Sequence, residues 1–174
     1  KQEYHDLVRV LTDKLKDLAR FEIIPTYRQK ESFGDMDILM DNRYRQEVRA
    51  WFQKIQCPLH VNGNVDSVLY VDFQLDLIFT HPTEIDMALA YFSWGDLGNL
   101  MGRVFHKTGF KYGHKGLLFL VKSGHYQFAE IPVSTDMRKI LEFVEYDYDR
   151  WLKGFDAQEE IFEYVASSPY FNKK

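Results

Sequence analysis

Ser32-Phe33-Gly34-Asp35-Met36-Asp37-Ile38-Leu39-Met40 is the stretch around which the rest of the chain is read. A glycine turn leads into an apolar run of strand type, and two aspartates one residue apart stand at its mouth. Side chains alternate along a strand, so Asp35 and Asp37 project from one face. A second run, Leu69-Tyr70-Val71-Asp72-Phe73-Gln74-Leu75-Asp76-Leu77-Ile78-Phe79, reads as another strand, with Asp72, Gln74 and Asp76 on a common face. Carboxylates rarely sit in such strands without a partner. With the two strands side by side, Asp35, Asp37 and Asp76 converge, and three such charges raise one another's pKa unless cations intervene. Two Mg²⁺ about 3.5–4 Å apart resolve the repulsion and hold both ends of an in-line displacement at phosphorus. The oxygen-only donor set favours Mg²⁺ or Mn²⁺ over zinc. Phosphoryl or nucleotidyl transfer is the chemistry expected. Asp72 is expected at the far end of its strand, and Glu31 and Asp41 on the surface.

Outward from these strands, the apolar spacing of Leu7, Val10, Leu11, Leu15 and Leu18 predicts an amphipathic helix over residues 4–20. A short strand from Phe21 to Ile24 ends at Pro25, and a polar loop runs from Thr26 to Gly34. Val48, Trp51, Phe52 and Ile55 predict a helix over 44–55, and Asn62-Gly63-Asn64 a turn. Beyond Pro82, helices are expected over 84–92 and from an Asp96 N-cap to about Lys107, separated by Ser93-Trp94-Gly95. A hairpin of residues 112–121 and 126–133 follows, then helices over 135–144 and 156–167, the second opened by Asp156-x-x-Glu159. The fold class is α+β. It divides into residues 1–82, with the carboxylates, and 83–174.

Charge is distributed unevenly on a chain of net charge −4. From Leu97 to Ala129 there is no acid, while Arg103, Lys107, Lys111 and Lys115 all lie there. A basic face on an acidic body suits phosphate-bearing ligands, so these four are the expected nucleic-acid contacts. Thr26 and Arg28 are placed to meet a triphosphate, and Gly34 lets backbone approach it. The six histidines show no paired ligand spacing, which disfavours a zinc site. No apolar run reaches bilayer length, nothing resembles a signal peptide, and Cys57 is the only cysteine. The expectation is a cytoplasmic protein (nuclear in a eukaryote), not secreted, without a membrane partner, and monomeric.

Ser32 to Leu39 resembles the Gly-Asp-x-Asp motif of the polymerase beta-like nucleotidyltransferases. Asp76-Leu77-Ile78, then Tyr91-Phe92-Ser93, then Asn99 and Arg103 resemble the family X DNA polymerases in residue type and spacing. Gly109-Phe110, Gly116-Leu117 and Ser134-Thr135 continue the likeness, which covers about residues 20–150. The resemblance implies a palm with a small C-terminal subdomain and a two-metal site of Asp35, Asp37 and Asp76. It implies that Tyr91 and Phe92 pack beside the incoming sugar, with Ser93 and Asp96 in the same nucleotide-binding stretch. It implies that Asn99 and Arg103 lie in the minor groove near the nascent pair. Partners on this reading are a nucleoside triphosphate and DNA, as primer-template or gapped duplex, with RNA, tRNA, protein or a small molecule as alternative acceptors. A non-catalytic nucleic-acid-binding domain is a third reading. The chain departs from the family pattern at Pro25-Thr26, where Gly-Ser is usual, at Gln74, where arginine often supports the carboxylates, and at Trp94, where glycine is usual.

Overall fold

The computed structural model describes residues 2–172, without the side chains of Gln127 and Phe128. The chain is α+β and forms two compact units: Lys1–Ile24 with Lys30–Ile85, and Pro25–Gln29 with Asp86–Lys174. The loop before the aspartates is therefore shared, its first five residues belonging to the second unit.

The first unit is a five-stranded mixed sheet with two helices. Its elements are α1 (Gln2–Leu15), β1 (Phe21–Ile23), β2 (Asp35–Asp41), α2 (Arg45–Lys54), β3 (Leu59–Asn62), β4 (Val65–Tyr70) and β5 (Phe73–Thr80). Strand order is β1-β2-β5-β4-β3, with β2 and β5 parallel and every other pair antiparallel. One face of the sheet packs Met36, Ile38, Met40, Val68, Leu75 and Leu77 against Leu11 and Leu15 of α1 and Val48 and Phe52 of α2. Burial of these side chains supplies the driving force for the unit, at about 1.5–3 kcal/mol for each large apolar group. Helix α1 stops at Leu15, short of residue 20, because Leu18 and Ala19 both donate backbone N–H to Leu15 O and turn the chain into β1.

The long strand expected over 69–79 is two strands. Val71 and Asp72 adopt left-handed backbone, φ 47° and 61°, and form a two-residue hairpin turn between paired Tyr70 and Phe73. Two consecutive positive φ values give the turn whose twist matches antiparallel strands. Asp72 is thus an exposed turn residue and does not share a strand face with Gln74 and Asp76. Asp41 is not on the surface either. It is 1% exposed and accepts hydrogen bonds from the backbone N–H and guanidinium of Arg43. Asp66 is fully buried on the core face, where Arg45 and Arg49, one turn apart on α2, both grip its carboxylate at 2.6 Å.

The second unit contains α3 (Ile85–Phe92), α4 (Leu97–His106), β6 (Phe110–Gly113), β7 (Gly116–Ser123), β8 (Tyr126–Ser134), α5 (Met137–Phe143), α6 (Tyr148–Lys153) and α7 (Gln158–Ala166). The strands form an antiparallel sheet, β6-β7-β8. Met101, Phe105, Tyr112, Leu117, Leu141, Phe155 and Tyr164 are among its core. The hairpin expected over 112–133 carries an extra strand, since His114-Lys115 breaks the first arm between paired Gly113 and Gly116. Helix α6 was not expected; Asp147 caps it by accepting from Arg150 N. Helix α7 starts at Gln158, and Glu160, not Glu159, accepts from the N–H of Asp156 at 2.7 Å. Asp96 holds the N-cap position of α4 without a side-chain hydrogen bond.

Helices α3 and α4 approach closely at Gly98, which faces the backbone carbonyl of Tyr91. A Cβ there would lie 2.0 Å from Tyr91 O. Gly98→Ala is therefore expected to lower stability by about 3 kcal/mol, read by urea denaturation.

Candidate metal centre

Parallel pairing of β2 with β5 places Asp37 directly opposite Asp76, and Asp35 opposite Gln74. The core takes Met36, Ile38, Leu75 and Leu77, so alternation sends Asp35, Asp37 and Asp76 to the other face of the sheet. One oxygen from each of the three carboxylates lies within 4.8 Å of the other two. Asp35 and Asp37 are exposed and Asp76 half-buried. Partial burial, followed by the charges of Asp35 and Asp76, holds the Asp37 carboxyl above its ordinary value, and Lys30 only partly offsets this. Tyr4 of α1 stacks on Phe33 with ring centroids 3.8 Å apart, and Lys30 lies over the Phe33 ring. Burial first, then Asp37 and Asp35, raises the Tyr4 phenol. This aromatic wall pins the loop that carries Gly34 into β2. Gly34 itself has open space where a Cβ would stand, so nothing in the protein's own packing demands glycine there.

Asp76 is held on its own side of the centre. Ser67 of β4 is its cross-strand partner and donates its hydroxyl to Oδ1 at 2.6 Å. Gln74 donates its amide to Oδ1 at 3.0 Å and to Oδ2 at 3.1 Å. The donor set is three carboxylates with no imidazole or thiol, the chemistry of a site for a hard divalent cation. The group of acids fits such an ion: Asp35 and Asp37 are exposed, Asp76 is half-buried, and the mutual repulsion that helps raise Asp37 is what a bound cation would remove.

No protein-family model matches the chain, and no curated protein matches it.

The remaining predicted residues lie in the second unit. Tyr91, Asn99, Arg103 and Lys111 come together as the lining of one cavity of about 380 Å³, completed by Gly102, His106, Phe110, Tyr112 and Leu120. Asn99 and Arg103 share a face of α4 one turn apart, with Met101, Val104 and Phe105 turned to the core. His106, exposed near the end of α4, belongs to this cavity. Phe92 stacks on His114, with centroids 6.2 Å apart. Ser93 is buried and gives its hydroxyl to Leu89 O, the helical residue four before it. Thr26 is half-buried in the loop, and Asp96 is exposed.

Several of the expected basic contacts are engaged within the unit. Arg28 donates to Asp156 at 2.8 Å and to Lys153 O, and lies over the Trp94 ring. Lys107 donates to Phe171 O, and Lys111 pairs with Glu130 at 2.7 Å. Among the described residues, Arg103 and Lys115 form no ion pair. Trp94 adopts left-handed backbone, φ 69°, a region that favours glycine. Its ring packs on Phe155 and fills the space beside Gly154, where a Cβ would lie 2.4 Å from it. Packing against Phe155 and Arg28 offsets the strain of that conformation. No helix among the described residues is long and apolar enough to cross a membrane.

Proposed function

We propose that this chain is a Mg²⁺-dependent nucleotidyltransferase of the polymerase beta-like kind, closest to a minimal family X DNA polymerase. The first unit serves as its palm. The convergence of Asp35, Asp37 and Asp76 from two parallel strands is the observation that carries this reading. The acceptor's 3′-hydroxyl oxygen forms a bond to the α-phosphorus of a nucleoside triphosphate. The bond from that phosphorus to the bridging oxygen breaks, and pyrophosphate leaves. Asp35 and Asp37 would hold two cations, Mg²⁺ or Mn²⁺, and Asp76 would complete the set and help the attacking hydroxyl give up its proton to solvent. When bound, the cations neutralise developing charge on the phosphate oxygens and lower the pKa of the attacking hydroxyl. In the second unit, Tyr91 and Phe92 take the sugar, and Asn99 and Arg103 the nascent pair, as the family resemblance implies.

One observation favours a second reading, transfer to RNA, tRNA, protein or a small acceptor. Lys111 pairs with Glu130 and Lys107 is tied to Phe171 O, leaving fewer free basic side chains for duplex DNA. Incubation with Mg²⁺, labelled nucleotides and gapped DNA separates the two. Templated extension supports the polymerase; label found only on RNA or protein supports the second. Absence of any transfer, with any acceptor, overturns both. On the polymerase reading, Arg103→Ala lowers DNA affinity, and the plot of log affinity against log salt becomes shallower by about 1 if Arg103 touches phosphate. An unchanged slope and affinity would remove Arg103 from the interface.

A further inference from the structure

We infer that Ser67 and Gln74 are positioning residues, which fix the Asp76 carboxylate so that Oδ2 is the oxygen turned to account by the metal centre. The inference rests on the metal-centre reading above and deepens it. A carboxylate oxygen offers about two lone-pair directions. At Asp76, Oδ1 has both taken, by the Ser67 hydroxyl at 2.6 Å and the Gln74 amide at 3.0 Å. Oδ2 accepts only the longer Gln74 contact, at 3.1 Å, and retains capacity for a cation. The two donors come from different directions. Ser67 reaches across from β4, where it is the register partner of Asp76; Gln74 stands two residues earlier on the same face of β5. Held from two sides, the carboxylate is not free to rotate about its terminal torsion, which is otherwise broad.

Both donors are neutral. An arginine at position 74 would hold Asp76 by charge as well as by hydrogen bonds. An amide and a hydroxyl orient the carboxylate while leaving its full negative charge for the ion. The same row of the sheet continues from Ser67 to His60 on edge strand β3, and His60, Ser67 and Gln74 line a small hollow beside Asp76. Ser67 therefore lies on the β4 flank of the centre, away from β2, whereas Gln74 is the register partner of Asp35.

Mn²⁺ binding, followed by the loss of the free-ion electron paramagnetic resonance signal, tests this without reference to turnover. Ser67→Ala and Gln74→Leu should each weaken Mn²⁺ affinity about 10-fold, and Ser67→Thr, which keeps the hydroxyl, should restore it to within about 2-fold of the parent. Gln74 is exposed, so its variant reports even where Ser67→Ala folds poorly. Affinities unchanged in both Ser67→Ala and Gln74→Leu, with Mn²⁺ still bound and still lost in Asp37→Asn, would overturn the positioning role and leave the metal centre standing. A parent protein that binds no Mn²⁺ would overturn the metal centre itself, and this inference with it.

Discussion

In metal-free buffer at pH 7, Asp37→Asn should melt above the parent protein, by about 1–2 °C, and in excess Mg²⁺ that advantage should shrink or reverse. The Asp37 carboxyl is held above its ordinary value by burial and by Asp35 and Asp76. When the folded state binds its proton more tightly than the unfolded chain, stability falls as pH rises from the unfolded value through the folded one, and stays lower above it. At pH 7 the ionised Asp37 is therefore a burden on the fold. Its partial exposure to solvent keeps the effect small. A neutral amide relieves the repulsion, but removes a ligand. On the proposed function, the same variant loses nucleotidyl transfer by about 10³-fold or more. Differential scanning calorimetry with and without Mg²⁺, beside an incorporation assay, reads both arms. Equal melting temperatures in the absence of metal would show that the three carboxylates do not strain one another.

Asp66→Ala should destabilise the first unit by about 3–5 kcal/mol, measured by urea denaturation. The carboxylate is fully buried and each of two arginines lies 2.6 Å from it. Burial alone would push its carboxyl up, but hydrogen bonds from Arg49 and Arg45, reinforced by their charges, bring it below its ordinary value. Truncation would leave two guanidinium groups pointed into a space with no counter-charge. The sign of the pH dependence follows. The stability contributed by Asp66 is present in full above about pH 3.9 and is lost as pH falls through the lower folded value. Acid unfolding of the parent should thus have a component below about pH 4 that Asp66→Ala lacks. The proposed chemistry does not involve Asp66, so a stable Asp66→Ala protein with an unchanged acid transition would contradict the role assigned to this cluster.

The parts of the fold legible in the sequence were those written in apolar periodicity. The spacing of Val48, Trp51, Phe52 and Ile55 marks α2, and the runs around Ile38 and Leu77 mark the two central strands. Asp35, Asp37 and Asp76 were legible for the same reason, since charges interrupting apolar strands stand out, and the structure brings the three together. Turns without turn residues were not legible. Val71-Asp72 carries no glycine, asparagine or proline, and only the pairing of Tyr70 with Phe73 shows that the chain reverses there. His114-Lys115 hides the start of β7 in the same way. Charges with distant partners were also opaque: Asp66 finds Arg45 and Arg49 about twenty residues upstream, and the sole clue is that those arginines lie one helical turn apart. Helix α6 follows Glu145 and Asp147 and carries Asp149, and its start shows only in the cap that Asp147 makes by accepting from Arg150 N. Ser67 carried no signal at all. Its role depends on the register that sets it opposite Asp76.

A crystal of the protein soaked with Mn²⁺ and a non-hydrolysable nucleoside triphosphate, with data collected at the manganese edge, addresses the central claim most directly. Two anomalous peaks about 3.5–4 Å apart, bounded by Asp35, Asp37 and Asp76 and by the triphosphate, are the predicted result. A triad bare of manganese, with Asp76 still bound only by Ser67 and Gln74 and turned from the other two aspartates, would contradict it.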